Sequence, residues 1–191
     1  MLLKSERYEE LNLEVLDLLE TYDFPFYPLD VFALARKMGV ALKPYSLISP
    51  ANYRAFAAPS DDAFTFTYEN YSVDKTSIYY NPNASKGRLA HSIAHEIAHI
   101  WLEHPNDNEP YETEANYFAA YLLAPIPIII EMGFKDACEV KEYFGISYEA
   151  ARIALERTRN RLRCKKPKHT YECQIVNLAL KKGGGYLGGV L

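Results

Sequence analysis

Residues 89–104, LAHSIAHEIAHIWLEH, carry His95-Glu96-Ile97-Ala98-His99 at their centre. On an α-helix, residues four apart lie one above the other on a single face. His95 and His99 can therefore turn both imidazoles toward one metal ion. Glu96, about 100° round the helix, stays free to touch a water bound there. Leu89, Ile93, Ala94, Ile97, Ala98, Ile100, Trp101 and Leu102 surround the pair, and neither Gly nor Pro interrupts them. That is the composition of a buried helix. Histidines on a solvated face would have polar neighbours, whereas Ile97 and Ala98 lie between these two. The pattern is that of a metallopeptidase active-site helix.

Composition sets the frame. With 191 residues, 49% hydrophobic and 24% charged, the chain can build a core and reads as one domain with a small appendage. A net charge of −4 gives no general attraction to nucleic acid or to an anionic membrane. Cys138, Cys164 and Cys173 are odd in number, which argues against a disulfide framework and for a reducing compartment. The N-terminus MLLKSERYEELNLEV turns charged too early for a signal peptide. The apolar run 119–130 is interrupted by Pro125 and Pro127, short of the roughly 18 residues a membrane span needs. The expectation is a cytoplasmic protein with no membrane partner.

Along the chain, Tyr8, Leu11, Val15, Leu18 and Leu19 recur at helical spacing over 5–21. A second helix opens at Pro28-Leu29-Asp30 and runs to Lys37, with Gly39 suited to its C-terminal cap. A short strand is expected at 40–45, and 53–57 has an extended pattern. The alternating runs 64–68 and 77–80 predict an antiparallel strand pair. Asn81 to Ser85 form a turn, with Ser85 as N-cap of the histidine helix, which stops near Pro105. Residues 111–124, YETEANYFAAYLLA, form the next helix, ended by Pro125.

Two helical histidines need a third protein ligand and an open position for water or substrate. A Glu from the following helix can supply it at little loop-closure cost. Glu112 and Glu114 both qualify. Glu114 is preferred, because it shares a face with Tyr117, Phe118 and Tyr121, the face expected to meet the histidine helix. Glu112 sits near the exposed end, where a carboxylate favoured by the helix dipole is the simpler reading.

The order of these motifs is specific. The segment 77–83, Arg88, Ala94-His95-Glu96-Ile97-Ala98-His99 and Glu112-Thr113-Glu114-Ala115-Asn116-Tyr117-Phe118-Ala119-Ala120-Tyr121-Leu122-Leu123-Ala124-Pro125 resembles the ImmA/IrrE family of metallopeptidases. That family carries A-H-E-x-x-H followed by E-A-N-x-F-A-A-x-L-L-x-P. The resemblance spans about 25–160 and is strongest over 88–125. Ala98 replaces the family's usual Gly, His91 stands where an aromatic residue is common, and His104 falls one residue late. The rise from His91 to His99 is about 12 Å, so one ion cannot bind all three of His91, His95 and His99. His91 is expected in the cleft or behind the ligands.

The resemblance implies an α+β fold: a mostly helical, zincin-like domain over 1–165, with a small antiparallel sheet beside the active-site helix. The core motifs occupy 77–125, C-terminal helices occupy 126–163, and 166–191 is a tail. It also implies one Zn²⁺ held by His95, His99 and Glu114, with Glu96 as catalytic base. Mn²⁺ or Fe²⁺ also suit a His₂-carboxylate site. Family members cleave or antagonise helix-turn-helix repressors, so the expected activity is a zinc-dependent endopeptidase acting on such a DNA-binding protein. The alternative is a non-proteolytic anti-repressor module using the same cleft; an intact Glu96 favours the enzyme. An oxyanion needs a further donor, with His91, His104, Tyr117 and Tyr121 as candidates, and Asn116 is a candidate for orienting the imidazoles.

Helical patterns at 135–143 and 147–163, joined through Gly145, outline a helix-turn-helix followed by a basic cluster over 157–168. A solvated basic helix end is the preferred reading of that cluster, against direct nucleic-acid binding. Cys164, His169 and Cys173 lack paired metal-ligand spacing.

Overall fold

Ile93, Ala94, Ile97 and Ala98 have no exposed surface at all, and the helix that carries them is the centre of the architecture. The computed structural model describes residues 3–24, 27–48, 62–68, 75–164 and 167–181. In chain order these form α1 (Ser5–Thr21), α2 (Val31–Lys37), β1 (Ala41–Pro44), β2 (Ala63–Tyr68), β3 (Lys75–Tyr80), α3 (Lys86–Trp101) and α4 (Glu109–Leu123). They continue with α5 (Ile126–Met132), α6 (Ala137–Phe144), α7 (Tyr148–Arg163) and α8 (Thr170–Lys181). The fold is α+β and mostly helical. The extended pattern at 53–57 and the Gly-rich end of the chain from 182 lie outside the described residues.

The predicted strand pair is present and antiparallel, Phe64 opposite Tyr79 and Thr65 opposite Ile78. β1 adds to the other side of β3 in parallel, Leu42 opposite Ile78. The order is β1-β3-β2, so the small sheet is mixed rather than wholly antiparallel. A parallel neighbour needs a long crossover, which the chain between β1 and β3 provides. The sheet's buried face, including Ile78 and Ala63, closes on the shared core.

α3 and α4 form the most extensive helix pair. Small side chains line it: Ala94 and Ala98 from α3, Ala115 and Ala119 from α4, all fully buried. Small residues allow close approach of two helix axes, and Ala98 fits where the family commonly has Gly. Ser85 occupies the N-cap position of α3 in extended conformation, but its side chain makes no capping hydrogen bond. Gly87, two residues on, permits a close approach of the α6–α7 corner, since a Cβ there would lie 3.2 Å from the Ser147 backbone nitrogen and 3.3 Å from the Ile146 carbonyl carbon. Within Glu109–Met132, the 18-residue window apolar enough to cross a membrane by length and composition is 61% buried in this core.

α1 packs along α4, and α8 packs on α5 and α1. Buried Asn12 ties the three parts together: Tyr117 donates its hydroxyl to Asn12 Oδ1 at 2.9 Å, and Asn12 Nδ2 donates to the Tyr171 hydroxyl at 3.2 Å. α8 lies within the stretch read as a tail, yet Tyr171 and Ile175 are buried. α6 and α7 have the helix-turn-helix outline, with Gly145 left-handed at the turn and Ser147 accepting from the Ala150 N–H. Asp136 caps α6 by accepting from Cys138 and Glu139, which starts that helix two residues later than its apolar pattern.

Candidate metal centre and active-site cleft

α3 presents His95 and His99 as its spacing requires, with their Nε2 atoms 3.0 Å apart. The third group that meets them is Glu112. Its carboxylate oxygens lie 3.4 Å from His95 Nε2 and 3.1 Å from His99 Nε2. Among the described residues this is the group of three able to hold a metal ion. Metal–ligand arms of about 2.0–2.2 Å make a tetrahedron with edges of about 3.3–3.6 Å. The three observed separations fall within about 0.3 Å of that range, so the donors fit a tetrahedral ion with one corner left for water or substrate. Burial pushes the His95 imidazole below its ordinary value, against the opposing pull of Glu112. That favours the neutral ring a metal needs.

Glu114, the preferred third ligand on sequence grounds, is placed elsewhere. It accepts from Arg7 Nε at 2.8 Å and pairs with Arg7 Nη2 as well. The arginine holds its carboxyl below the usual range. The reason is rotational: two residues on a helix are about 200° apart, so Glu112 and Glu114 cannot face the same partner. Glu114 does share a face with Tyr117, but that face meets α1, where Tyr117 stacks edge-on to Tyr8 at 4.6 Å and bonds Asn12. Glu112 shares its side with Asn116, four residues on, and both line the cleft. Glu112 remains 38% exposed against 12% for Glu114, because the metal side of α4 opens onto the cleft.

The cleft encloses roughly 940 Å³ and brings together His91, His95, Glu96, His99, His104, Glu112 and Asn116 with Thr65 of β2. Burial pushes the Glu96 carboxyl up to about 7, opposed by Thr65, whose hydroxyl and backbone favour the anion. The Thr65 hydroxyl is itself buried without a hydrogen bond in good geometry, close enough to Glu96 to favour its charged form. No pattern in the sequence marks Thr65, since β2 reaches α3 only through the tertiary fold.

The remaining candidates divide. His91 sits along α3 from His95, ring centroids 6.4 Å apart, with its pKa lowered by burial. His104 is turned back under the end of α3 by Glu103, which is left-handed at φ 52°, and its N–H donates to the His99 carbonyl at 3.0 Å. Asn116 donates to the Glu112 carbonyl at 2.8 Å, steadying the turn that bears Glu112 rather than either imidazole. Tyr117 faces α1, and Tyr121 is buried beside a second cavity of roughly 630 Å³. Of the basic cluster, Arg157 lies 5.1 Å over the Tyr117 ring, Arg159 donates to the Lys135 carbonyl, and Arg161 pairs with buried Glu172. Cys164 and Cys173 are exposed free thiols, and His169 stacks on Tyr171. These three do not form a metal-competent group among the described residues.

No curated protein matches the chain. A family model does: the IrrE N-terminal-like domain matches residues 51–156, a stretch that runs through β2, β3, the histidine helix, α4 and the α6–α7 pair. With more than half of its length matched, the chain belongs to the Peptidase_M78 family.

Proposed function

We propose that this protein is a cytoplasmic zinc-dependent endopeptidase whose substrate is a protein, with a helix-turn-helix transcriptional repressor as the expected target. One observation carries the reading: His95, His99 and Glu112 converge at tetrahedral spacing in the same cleft as Glu96. The donor set suits zinc, and Mn²⁺ or Fe²⁺ would also be accepted. Zinc held by His95, His99 and Glu112 would supply a water of lowered pKa and a Lewis acid for the scissile carbonyl. Glu96 then takes the proton of the attacking water and delivers it to the leaving amine. Thr65, from the sheet side, favours the ionised form of that carboxylate. His91, on the cleft wall, is the preferred donor to the developing oxyanion, since Tyr117 donates to Asn12 and His104 is engaged with His99.

The test begins with metal content. Wild-type protein should carry close to one zinc, and His95→Ala and Glu112→Ala should lose it. Glu96→Gln should keep the zinc and lose at least about 100-fold in cleavage of a repressor substrate, the scale of a general base. Wild-type protein that stays metal-free after zinc is supplied would sink the peptidase reading. Repressor binding that persists in Glu96→Gln, with no cleavage by wild type, would favour a binding module using the same cleft.

A further inference from the structure

His104 and Glu114 do not reach the three metal-competent groups' common centre, yet they stand in line behind one of them. His99 points Nε2 at His95 and Glu112, and its other ring nitrogen, Nδ1, lies 3.1 Å from His104 Nδ1. One of these two nitrogens must carry the proton. A ring that binds metal through Nε2 keeps its proton on Nδ1, so His99 donates and His104 accepts. The proton of His104 is then on Nε2, which is buried without a hydrogen bond in good geometry and lies 3.4 Å from Glu114 Oε2. Glu114 is in turn gripped by Arg7 of α1 through Nε and Nη2. This two-point contact fixes the carboxylate plane.

Resting on the metal-site reading above, we infer that Arg7, Glu114 and His104 are positioning residues that hold His99 in its ligand tautomer and orientation, so that the N-terminal helix α1 sets the metal affinity of the centre. Arg7 lies outside the residues matched by the family model. The link to α1 is therefore a feature of this chain beyond the matched domain. Partners of this kind, which orient a ligating imidazole, are worth about 10–100-fold in metal affinity.

Zinc affinity of the full-length chain, measured by competition with a chromophoric chelator, tests this without a substrate. His104→Ala should bind zinc about 10–100-fold more weakly. Glu114→Gln, which keeps the side-chain shape, and Arg7→Gln, which removes the guanidinium but keeps a polar side chain, should each weaken it at least about threefold. Glu10→Gln, which removes the other carboxylate on Arg7, should leave it unchanged. Adding Arg7→Gln to His104→Ala should cost no further affinity, because the chain is already cut; a purely structural Arg7 would act independently of His104 and the losses would multiply. Wild-type affinity in folded Glu114→Gln and Arg7→Gln, or multiplying losses in the double variant, overturns the inference while leaving the metal site standing. A wild-type chain that binds no zinc overturns the site reading itself, and this inference with it.

Discussion

Glu112 and Glu114 show how much an offset of two residues decides. Glu112 is half exposed on the cleft side of α4, and Glu114 is clamped against α1. Removing a ligand should exceed the effect of removing a support, so Glu112→Gln should lose well over the roughly 100-fold in zinc affinity that bounds a supporting residue. Equal losses for Glu112→Gln and Glu114→Gln would contradict the assignment of Glu112. Glu103 supplies a second residue-level prediction. Its left-handed φ of 52° strains a side chain bearing a Cβ, and a glycine relieves it. The left-handed conformation costs a side-chain-bearing residue about 1–2 kcal/mol against about 0.5–1 kcal/mol of chain entropy for a glycine, so Glu103→Gly should raise the unfolding free energy modestly, read as a small rise in Tm. A fall in Tm would show that Glu103 contributes contacts that outweigh the strain.

Between elements, two contacts carry the arrangement that positions the site. Asn12 bridges α1, α4 and α8 through the Tyr117 and Tyr171 hydroxyls. Asn12→Ala leaves buried hydroxyls without partners and should cost about 1–3 kcal/mol. The measurement is equilibrium unfolding in urea, where the midpoint should fall with the slope unchanged. Gly87 is the other contact. The α6–α7 corner sits within 3.2 Å of where its Cβ would be. Gly87→Leu should overpack that junction and cost about 1–3 kcal/mol, while Gly87→Ala should cost less, since the gain in helix propensity offsets part of the crowding. A Gly87→Leu variant as stable as wild type would mean the corner yields freely. The helix-turn-helix outline of α6 and α7 is real as geometry, but Arg157 and Arg161 turn toward Tyr117 and Glu172 within the molecule.

At the scale of the whole molecule, the tyrosine-rich composition becomes a pH dependence. Burial raises Tyr27 and Tyr121 well above the ordinary phenol value and pushes Tyr117 up to about 12. Each is an acid whose neutral form the fold prefers. Their contribution is complete below the unfolded value of about 10 and is lost as pH rises from there through the folded values, because the unfolded chain then binds fewer protons. Stability should therefore fall steeply above about pH 10. Phenolate absorbance should show part of the tyrosine population ionising only together with unfolding, as followed by circular dichroism. Smooth titration of every tyrosine in the still-folded protein would disprove their protection.

What was legible in the sequence followed from local chemistry. Helical periodicity placed α1, α3, α4 and α7 because 3.6-residue repeats leave one apolar stripe per helix, and alternation in 64–68 and 77–80 marked β2 and β3. His95, Glu96 and His99 were readable for the same reason: their relation is internal to one helix, so spacing alone fixes it. The third metal-competent carboxylate was not, because it depends on how α4 is rotated about its axis. The rotation is set by α1 taking the Tyr117 side and by α3 taking the alanine side, contacts between residues up to 107 positions apart. Parallel pairing of β1, the approach of Thr65 to Glu96 and the docking of α8 have the same origin. Local pattern determined which segments fold and which side chains carry the chemistry; only tertiary packing, which chooses the face each helix turns to its neighbours, decided that Glu112 meets the histidines and Glu114 stands behind them.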